Sequence, residues 1–296
     1  MDYGRLVTAM VTPFTESGEL DELGIRRIVN HLLETGTTAI VAAGTTGESP
    51  TLTHSEKLRL FQLTVEAVNK RVPVIAGTGS NDTKSAVELS QEAAAVGVDG
   101  LLQVSPYYNK PSQEGLYQHF KTVAEAVNLP IMLYNIPGRC GVNIDVDTVL
   151  RLAQIPNITS IKEASGNFSY IAELAAKKSD DFLMYSGDDK FTLPIMSLGG
   201  YGVVSVAAHV VGQEMTAMID AFLTGDTAEA AVWNGRLMPM FTTLFKTSNP
   251  SPLKAALRMM NVDAGPLRLP LVEAPVEVQN LLKEELERLG KMQLPV

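Results

Sequence analysis

The chain of 296 residues is 45% hydrophobic and 19% charged, with a formal net charge of −9. That profile fits a globular enzyme and excludes a disordered chain, and it lacks the Lys/Arg-rich face that nucleic acid requires. The single cysteine, Cys140, excludes an intrachain disulfide and a cysteine metal cluster. His31, His54, His119 and His209 show no paired spacing on one helix, so no metal site is expected. No apolar run reaches the ~18–20 residues of a bilayer span, and the start, Met1-Asp2-Tyr3-Gly4-Arg5, has no basic region leading into an apolar stretch. A cytoplasmic location is expected.

The first apolar strand is predicted at 6–11, closed by Thr12-Pro13-Phe14. Over 21–34, Ile25, Ile28, Val29, Leu32 and Leu33 recur at helical spacing and Gly36 supplies a C-cap. A second strand at 38–42 runs into Gly44-Thr45-Thr46-Gly47-Glu48-Ser49, after which Thr53 and Glu56 form a capping box opening a helix to about residue 68. The third strand, at 73–76, leads through Gly77-Thr78-Gly79 to an alanine-rich helix at 84–96 stopped by Gly97. Strands at 101–104 and 131–134, a sixth ending near Lys162, and two more at 182–185 and 202–206 continue the alternation, each followed by a helical stretch. Eight such units predict an α/β fold of the (β/α)8 TIM-barrel type. Beyond residue 225 no strand is predicted; a helix at 228–245, the turn Asn249-Pro250-Ser251-Pro252 and two further helices form a C-terminal appendage. The expected division is a catalytic barrel at 1–224 and a helical region at 225–296 that offers a packing surface to other subunits.

Lys162 stands out because a parallel strand covered on both faces is mostly apolar, and an ammonium there must be paired or lose part of its charge. It reads either as a nucleophile or as an ion-pair partner of a carboxylate such as Glu163. Active sites of barrels lie at the C-terminal ends of the strands, and there the sequence collects Thr45, Thr46, Tyr107, Tyr108, Tyr134, Arg139, Lys162 and Gly187. No carboxylate pair suits a glycosidase. An amine with phenolic and aliphatic hydroxyls suits Schiff-base chemistry, in which the lysine loses a proton to attack a carbonyl and later steps move further protons. Each member also has a plain structural reading: Tyr134 as a core aromatic, Tyr107 and Tyr108 as loop packing or a bridge to a second subunit, Arg139 as a solvated surface charge. Gly44-x-x-Gly47 reads equally as a tight turn, and no Lys-Ser/Thr follows it to make a phosphate loop.

Gly44-Thr45-Thr46-Gly47-Glu48 with Glu56, Tyr134-Asn135-Ile136-Pro137 and Ile161-Lys162-Glu163-Ala164 resemble the signatures of the pyruvate-dependent class I aldolase barrels, which include N-acetylneuraminate lyase. Ser105-Pro106-Tyr107-Tyr108-Asn109-Lys110-Pro111, the Arg139 loop, Gly187-Asp188-Asp189, Asn249-Pro250-Ser251-Pro252-x-Lys254 and Leu267-Arg268-Leu269-Pro270 narrow the resemblance to the dihydrodipicolinate (4-hydroxy-tetrahydrodipicolinate) synthase family, over essentially the whole chain. The resemblance implies condensation of pyruvate with L-aspartate 4-semialdehyde, on the route to diaminopimelate and lysine, with no cofactor beyond a covalent imine on Lys162. It implies a proton relay of Thr45, Tyr134 and the partner subunit's Tyr108, pyruvate held by Thr46 and the backbone near Gly187 and Val204, and the semialdehyde carboxylate gripped by Arg139. It also implies a homo-oligomer, a dimer of dimers with Tyr108 shared across the tight interface.

Ser49, His54, Asn81 and Tyr107 match a lysine feedback site of sensitive relatives, whereas Lys57 replaces a histidine and Ser85 stands where a glutamate would pair with the effector amine; weak or absent inhibition is expected. Cys140 occupies a position beside Arg139 where many relatives carry Thr. Two alternatives stand beside the main reading. One is another pyruvate lyase, cleaving N-acetylneuraminate or a 2-keto-3-deoxy sugar acid, which Arg139 and the twin tyrosines disfavour. The other is a binding barrel without catalysis, which the complete relay disfavours.

Overall fold

Eight short apolar strands pair in parallel and close on themselves: β1 (Leu6–Ala9), β2 (Ala39–Ala42), β3 (Val74–Gly77), β4 (Gly100–Val104), β5 (Ile131–Asn135), β6 (Ile158–Glu163), β7 (Leu183–Ser186) and β8 (Gly202–Ser205), with β8 pairing back to β1. The computed structural model describes residues 2–292. Strands this buried need apolar side chains on both faces. The inward set includes Val7, Ala9, Val41, Ile75, Leu102, Met132, Tyr134, Tyr185 and Val204, while the outward set packs against the helices.

The helices follow in order: α1 (Glu22–Glu34), α2 (His54–Val68), α3 (Thr83–Val96), α4 (Gln113–Glu125), the single turn α5 (Pro137–Cys140), α6 (Val146–Leu152), α7 (Phe168–Lys177), α8 (Thr192–Ser197) and α9 (Ala208–Leu223) around the barrel, then α10 (Thr227–Thr243), α11 (Ser251–Met259) and α12 (Val276–Arg288). Local chemistry sets their starts. Asp21, Asp82, Ser112, Asn167 and Asp226 each accept a backbone N–H at the first turn, and Thr53 with Glu56 makes the expected reciprocal capping box.

Two elements differ from the sequence expectation. The first strand stops at Ala9 rather than residue 11, because the Val11 N–H turns away from the ladder and donates to His209 Nε2 at 3.2 Å. Arg139 sits on the one-turn helix α5 rather than in open loop; Pro137 starts that turn and Gly141, at φ +72°, ends it.

The N-terminal end of the barrel is sealed. Tyr3 is buried in the interior cluster, and a Cβ at Gly100 would overlap its hydroxyl. Arg5 donates to the Tyr201 carbonyl at 2.6 Å and lies 3.7 Å over the Tyr201 ring, whose hydroxyl donates to Asp2. At the other end, the C-terminal helices share the outer core with the barrel: Leu237, Met240, Phe241, Leu253, Leu257 and Leu282 are fully buried in the same apolar cluster as Ile25 and Val210.

Candidate active site

Parallel register aligns Tyr134 on β5, Lys162 on β6 and Tyr185 on β7 as direct neighbours. Lys162 is 5% exposed, and its Nζ lies 4.4 Å from the centroid of the Tyr134 ring. It has no ion pair among the described residues. Glu163 points elsewhere, accepting from Asn135 Nδ2 at 2.8 Å and from the Ser165 N–H at 2.5 Å, so the ion-pair reading with that carboxylate fails. Burial pulls the ammonium down to about 8; the Asp189 carboxylate opposes the shift and the Arg139 guanidinium adds to it. Gly187 is packed against this lysine, since a Cβ there would stand 3.2 Å from Lys162 Cε.

Asp189 is buried behind the lysine, in the turn from β7. It accepts from Ser205 Oγ at 2.5 Å and from the N–H groups of Val206 and Ala207 at 3.1 and 3.0 Å. Burial raises its carboxyl to about 6 in spite of these donors. The neighbouring Val204, on β8, contributes an apolar wall beside Tyr134 and Tyr185. His209 is a structural histidine: Nε2 accepts from Val11 N–H, leaving Nδ1 to donate to the Val206 carbonyl at 2.9 Å, and burial lowers it to about 3.

Burial drives the Tyr134 phenol up to about 12, and a hydrogen bond with the Thr45 side chain pulls it partly back. The phenol therefore stays protonated at neutral pH, with the Thr45 side chain as its hydrogen-bond partner. Thr45 is carried by the turn after β2, which folds tightly because Ala43 and Glu48 adopt left-handed conformations at φ 53° and 54°, and the Gly47 and Ser49 N–H groups close on the Gly44 carbonyl. Gly77 is required opposite it, since a Cβ there would collide with the Ala43 carbonyl.

This turn is fastened from outside the barrel. Glu48 Oε1 pairs with Lys254 Nζ at 2.8 Å, both fully buried, and Glu48 Oε2 accepts the Arg268 N–H at 3.0 Å. Lys254 also donates to the Pro266 carbonyl at 2.7 Å, and Arg268 clasps Glu56 and the carbonyls of Thr51 and Gly18. Burial lowers the Lys254 ammonium while the Glu48 charge holds it up. Thr46 is 2% exposed, and its hydroxyl oxygen accepts from Asn249 Nδ2 at 2.9 Å.

A cavity of about 290 Å³ opens at this end of the barrel, and its lining includes Thr45, Tyr134, Arg139 and Cys140 together with Ser49, Lys57 and Tyr107. Lys162, Thr46, Gly187 and Val204 are not among the residues that line it. Arg139 is exposed at the rim, and burial raises the Cys140 thiol to about 11, so it adds no anion beside the guanidinium. Tyr108 is 89% exposed with a left-handed backbone, φ +72°, and does not reach its own chain's site. Of the expected effector residues, Ser49 and Tyr107 line the cavity. His54 instead pairs with Glu92 at 2.6 Å on the surface, and the Asn81 carbonyl accepts from Asn109. Ser85 is taken up by the Asp82 cap.

The sequence singled out Lys162, Tyr134 and Thr45 from residue type and position, and the structure brings these three together. Asp189, Glu48, Asn249 and Lys254 carry their signal only as polar residues in otherwise apolar or turn-forming motifs; the motif shows that they matter, while their partners lie up to 206 residues away in the chain, as for Glu48 and Lys254.

Fold and site define a (β/α)8 barrel organised around a buried, partly neutral amine at the end of its sixth strand. The model of the dihydrodipicolinate synthetase family matches residues 2–289. The chain belongs to that family. It is 54% identical over 290 residues to a 4-hydroxy-tetrahydrodipicolinate synthase of Moorella thermoacetica, covering 98% of this chain and 99% of that one, and 51% identical over 273 residues to the synthase of Bacillus subtilis, covering 92% and 94%. Among solved structures, a dihydrodipicolinate synthase of Bacillus anthracis superposes with a TM-score of 0.95 at 49% identity over 100% of both chains. The enzyme from Cyanidioschyzon merolae, solved with lysine bound, gives 0.96 at 47% identity over 98% of this chain and 99% of that one.

Proposed function

We propose that the chain condenses pyruvate with L-aspartate 4-semialdehyde to give 4-hydroxy-tetrahydrodipicolinate, the first committed step toward diaminopimelate and lysine. The observation that carries this is Lys162, a buried ammonium lowered to about 8 with no ion pair among the described residues, under the ring of a protonated Tyr134. The free amine attacks the keto carbon of pyruvate, and loss of water leaves an imine. A proton leaves the methyl carbon to give an enamine, whose carbon bonds to the aldehyde carbon while the aldehyde oxygen takes up a proton. The substrate's own amino group then displaces Lys162 from the imine carbon and closes the ring.

Tyr134 with Thr45 supplies and receives these protons, and the exposed Tyr108 extends the relay from a partner subunit. Thr46, Gly187 and Val204 hold the 2-oxo acid beside Lys162. Arg139, at the rim, offers its planar fork to the semialdehyde carboxylate. The imine on Lys162 is itself the electron sink, so the reaction needs no resident cofactor or metal. An aromatic as exposed as Tyr108, held in a left-handed conformation, suits a subunit interface, and a dimer of dimers sharing it is the proposed assembly. In this reading the barrel assigned to 1–224 is catalytic and 225–296 is its support, residues 1 and 293–296 lying outside the described residues. The enzyme works in the cytoplasm. No helix among the described residues is long and apolar enough to cross a membrane.

Borohydride reduction in the presence of pyruvate, read by intact mass, tests the assignment. The wild type gains one pyruvate-derived adduct and folded Lys162→Ala gains none; normal trapping in that variant excludes Lys162 as the imine former.

A further inference from the structure

The Thr46 hydroxyl is buried in the turn after β2, and one of its lone pairs is committed to Asn249 Nδ2 at 2.9 Å. Its own proton has no acceptor among the described residues. A hydroxyl offers one donor and two acceptor sites, and an unmatched buried donor is uncommon in a folded protein. With Asn249 Nδ2 donating, the Thr46 proton is not spent on Asn249, whose amide oxygen is itself buried with no partner among the described residues. Neither partner is free to drift. Asn249 is 6% exposed and begins the turn into α11, whose Lys254 grips Glu48, two residues beyond Thr46. From the other side, Thr12 Oγ1 donates to the Gly47 carbonyl at 2.6 Å.

We infer that Asn249 is a positioning residue for binding of the 2-oxo acid: its amide N–H fixes the Thr46 hydroxyl as a donor aimed at the substrate carboxylate. This rests on the reading of the site as a former of the pyruvate imine. The polarity of residue 249 is the decisive property. An amide nitrogen leaves the hydroxyl proton for the ligand, whereas a carboxylate in the same place accepts that proton and turns the donor backward.

The test is a cycle of wild type, Asn249→Asp, Thr46→Val and the double variant, in which the trapped adduct on Lys162 is titrated against pyruvate and kcat and KM are measured alongside. Asn249→Asp is expected to raise half-saturating pyruvate roughly tenfold, the scale of one hydrogen bond to a charged group, with kcat at saturation within about twofold of wild type. In the Thr46→Val background the same substitution is expected to add less than about twofold, because the hydroxyl it acts through is gone. Unchanged half-saturation in Asn249→Asp overturns the inference. So do factors that multiply in the double variant, the result expected from general loosening or from simple repulsion between Asp and the substrate. If Asn249→Asp does not fold, Asn249→Leu, of similar shape with neither hydrogen-bonding group, takes its place in the cycle: a roughly threefold rise that disappears in the Thr46→Val background supports the inference, and a rise that persists there overturns it. Absence of any adduct in the wild type would instead bring down the underlying reading.

Discussion

Titrating the protein between pH 6 and pH 10, at pyruvate far below saturation, changes the fraction of Lys162 present as free amine. With the ammonium lowered to about 8, that fraction is about a hundredth at pH 6, a tenth at pH 7 and a half at pH 8. An ordinary lysine near 10.5 would be neutral in only about one molecule in 3,000 at pH 7, so burial enlarges the reactive population roughly 300-fold. The rate of adduct formation, followed by rapid quench into borohydride and intact mass, should rise tenfold per pH unit up to about pH 7.5 and level off near pH 9. A rate still climbing tenfold between pH 9 and 10 would refute the argument, and so would one already flat at pH 6.

The same displacement has a stability counterpart. The folded value lies below the unfolded one, so between about pH 8 and 10.5 the unfolded chain binds more protons and stability rises with pH. Below pH 8 the penalty is complete, about 3 kcal/mol for an ammonium lowered from its ordinary value to about 8. Lys162→Met should therefore be more stable than wild type at pH 7, with the difference fading toward pH 10.5; equal denaturation midpoints at pH 7 would show that the buried ammonium carries no such cost.

Three other variants or ligands probe the rest of the site. Lys254→Met strands the buried Glu48 carboxylate and should cost about 3–5 kcal/mol in denaturant unfolding, while the double change Glu48→Gln with Lys254→Met recovers most of that loss; equal losses in both would mean that the pair is not coupled. Arg139→Ala should raise KM for the semialdehyde roughly tenfold or more and leave pyruvate trapping near normal, and parallel loss in both half-reactions would indicate collapse of α5 instead. Lysine should inhibit weakly or not at all, because Lys57 adds an amine to the cavity lining and Ser85, held by Asp82, offers no carboxylate to the effector's amine. A half-inhibiting concentration below about a millimolar, near 4 kcal/mol of binding, would contradict this.

The strand and helix order was legible because each signal is local. Alternation of apolar runs with capped, amphipathic stretches locates the eight units, and Thr53 with Glu56 announces α2 unaided. Lys162 was conspicuous by charge in an apolar strand, and Tyr134 by its place at a strand end. What the sequence did not disclose was which partner each polar group takes. Glu163, adjacent to Lys162, was the natural ion-pair candidate, yet successive strand residues point to opposite faces and it joins Asn135 and Ser165 instead. The bonds from Asn249 to Thr46 and from Lys254 to Glu48 escape for a different reason: each spans more than 200 residues, and no periodicity encodes a contact that exists only after the barrel has closed.

Among the described residues, Tyr3 and Tyr201 fill the barrel from beneath, while the cavity bounded by Thr45, Tyr134 and Arg139 opens at the opposite end. A first substrate held covalently on Lys162 would then occupy the inner end of that opening, and the second substrate and the departing product would share its outer part.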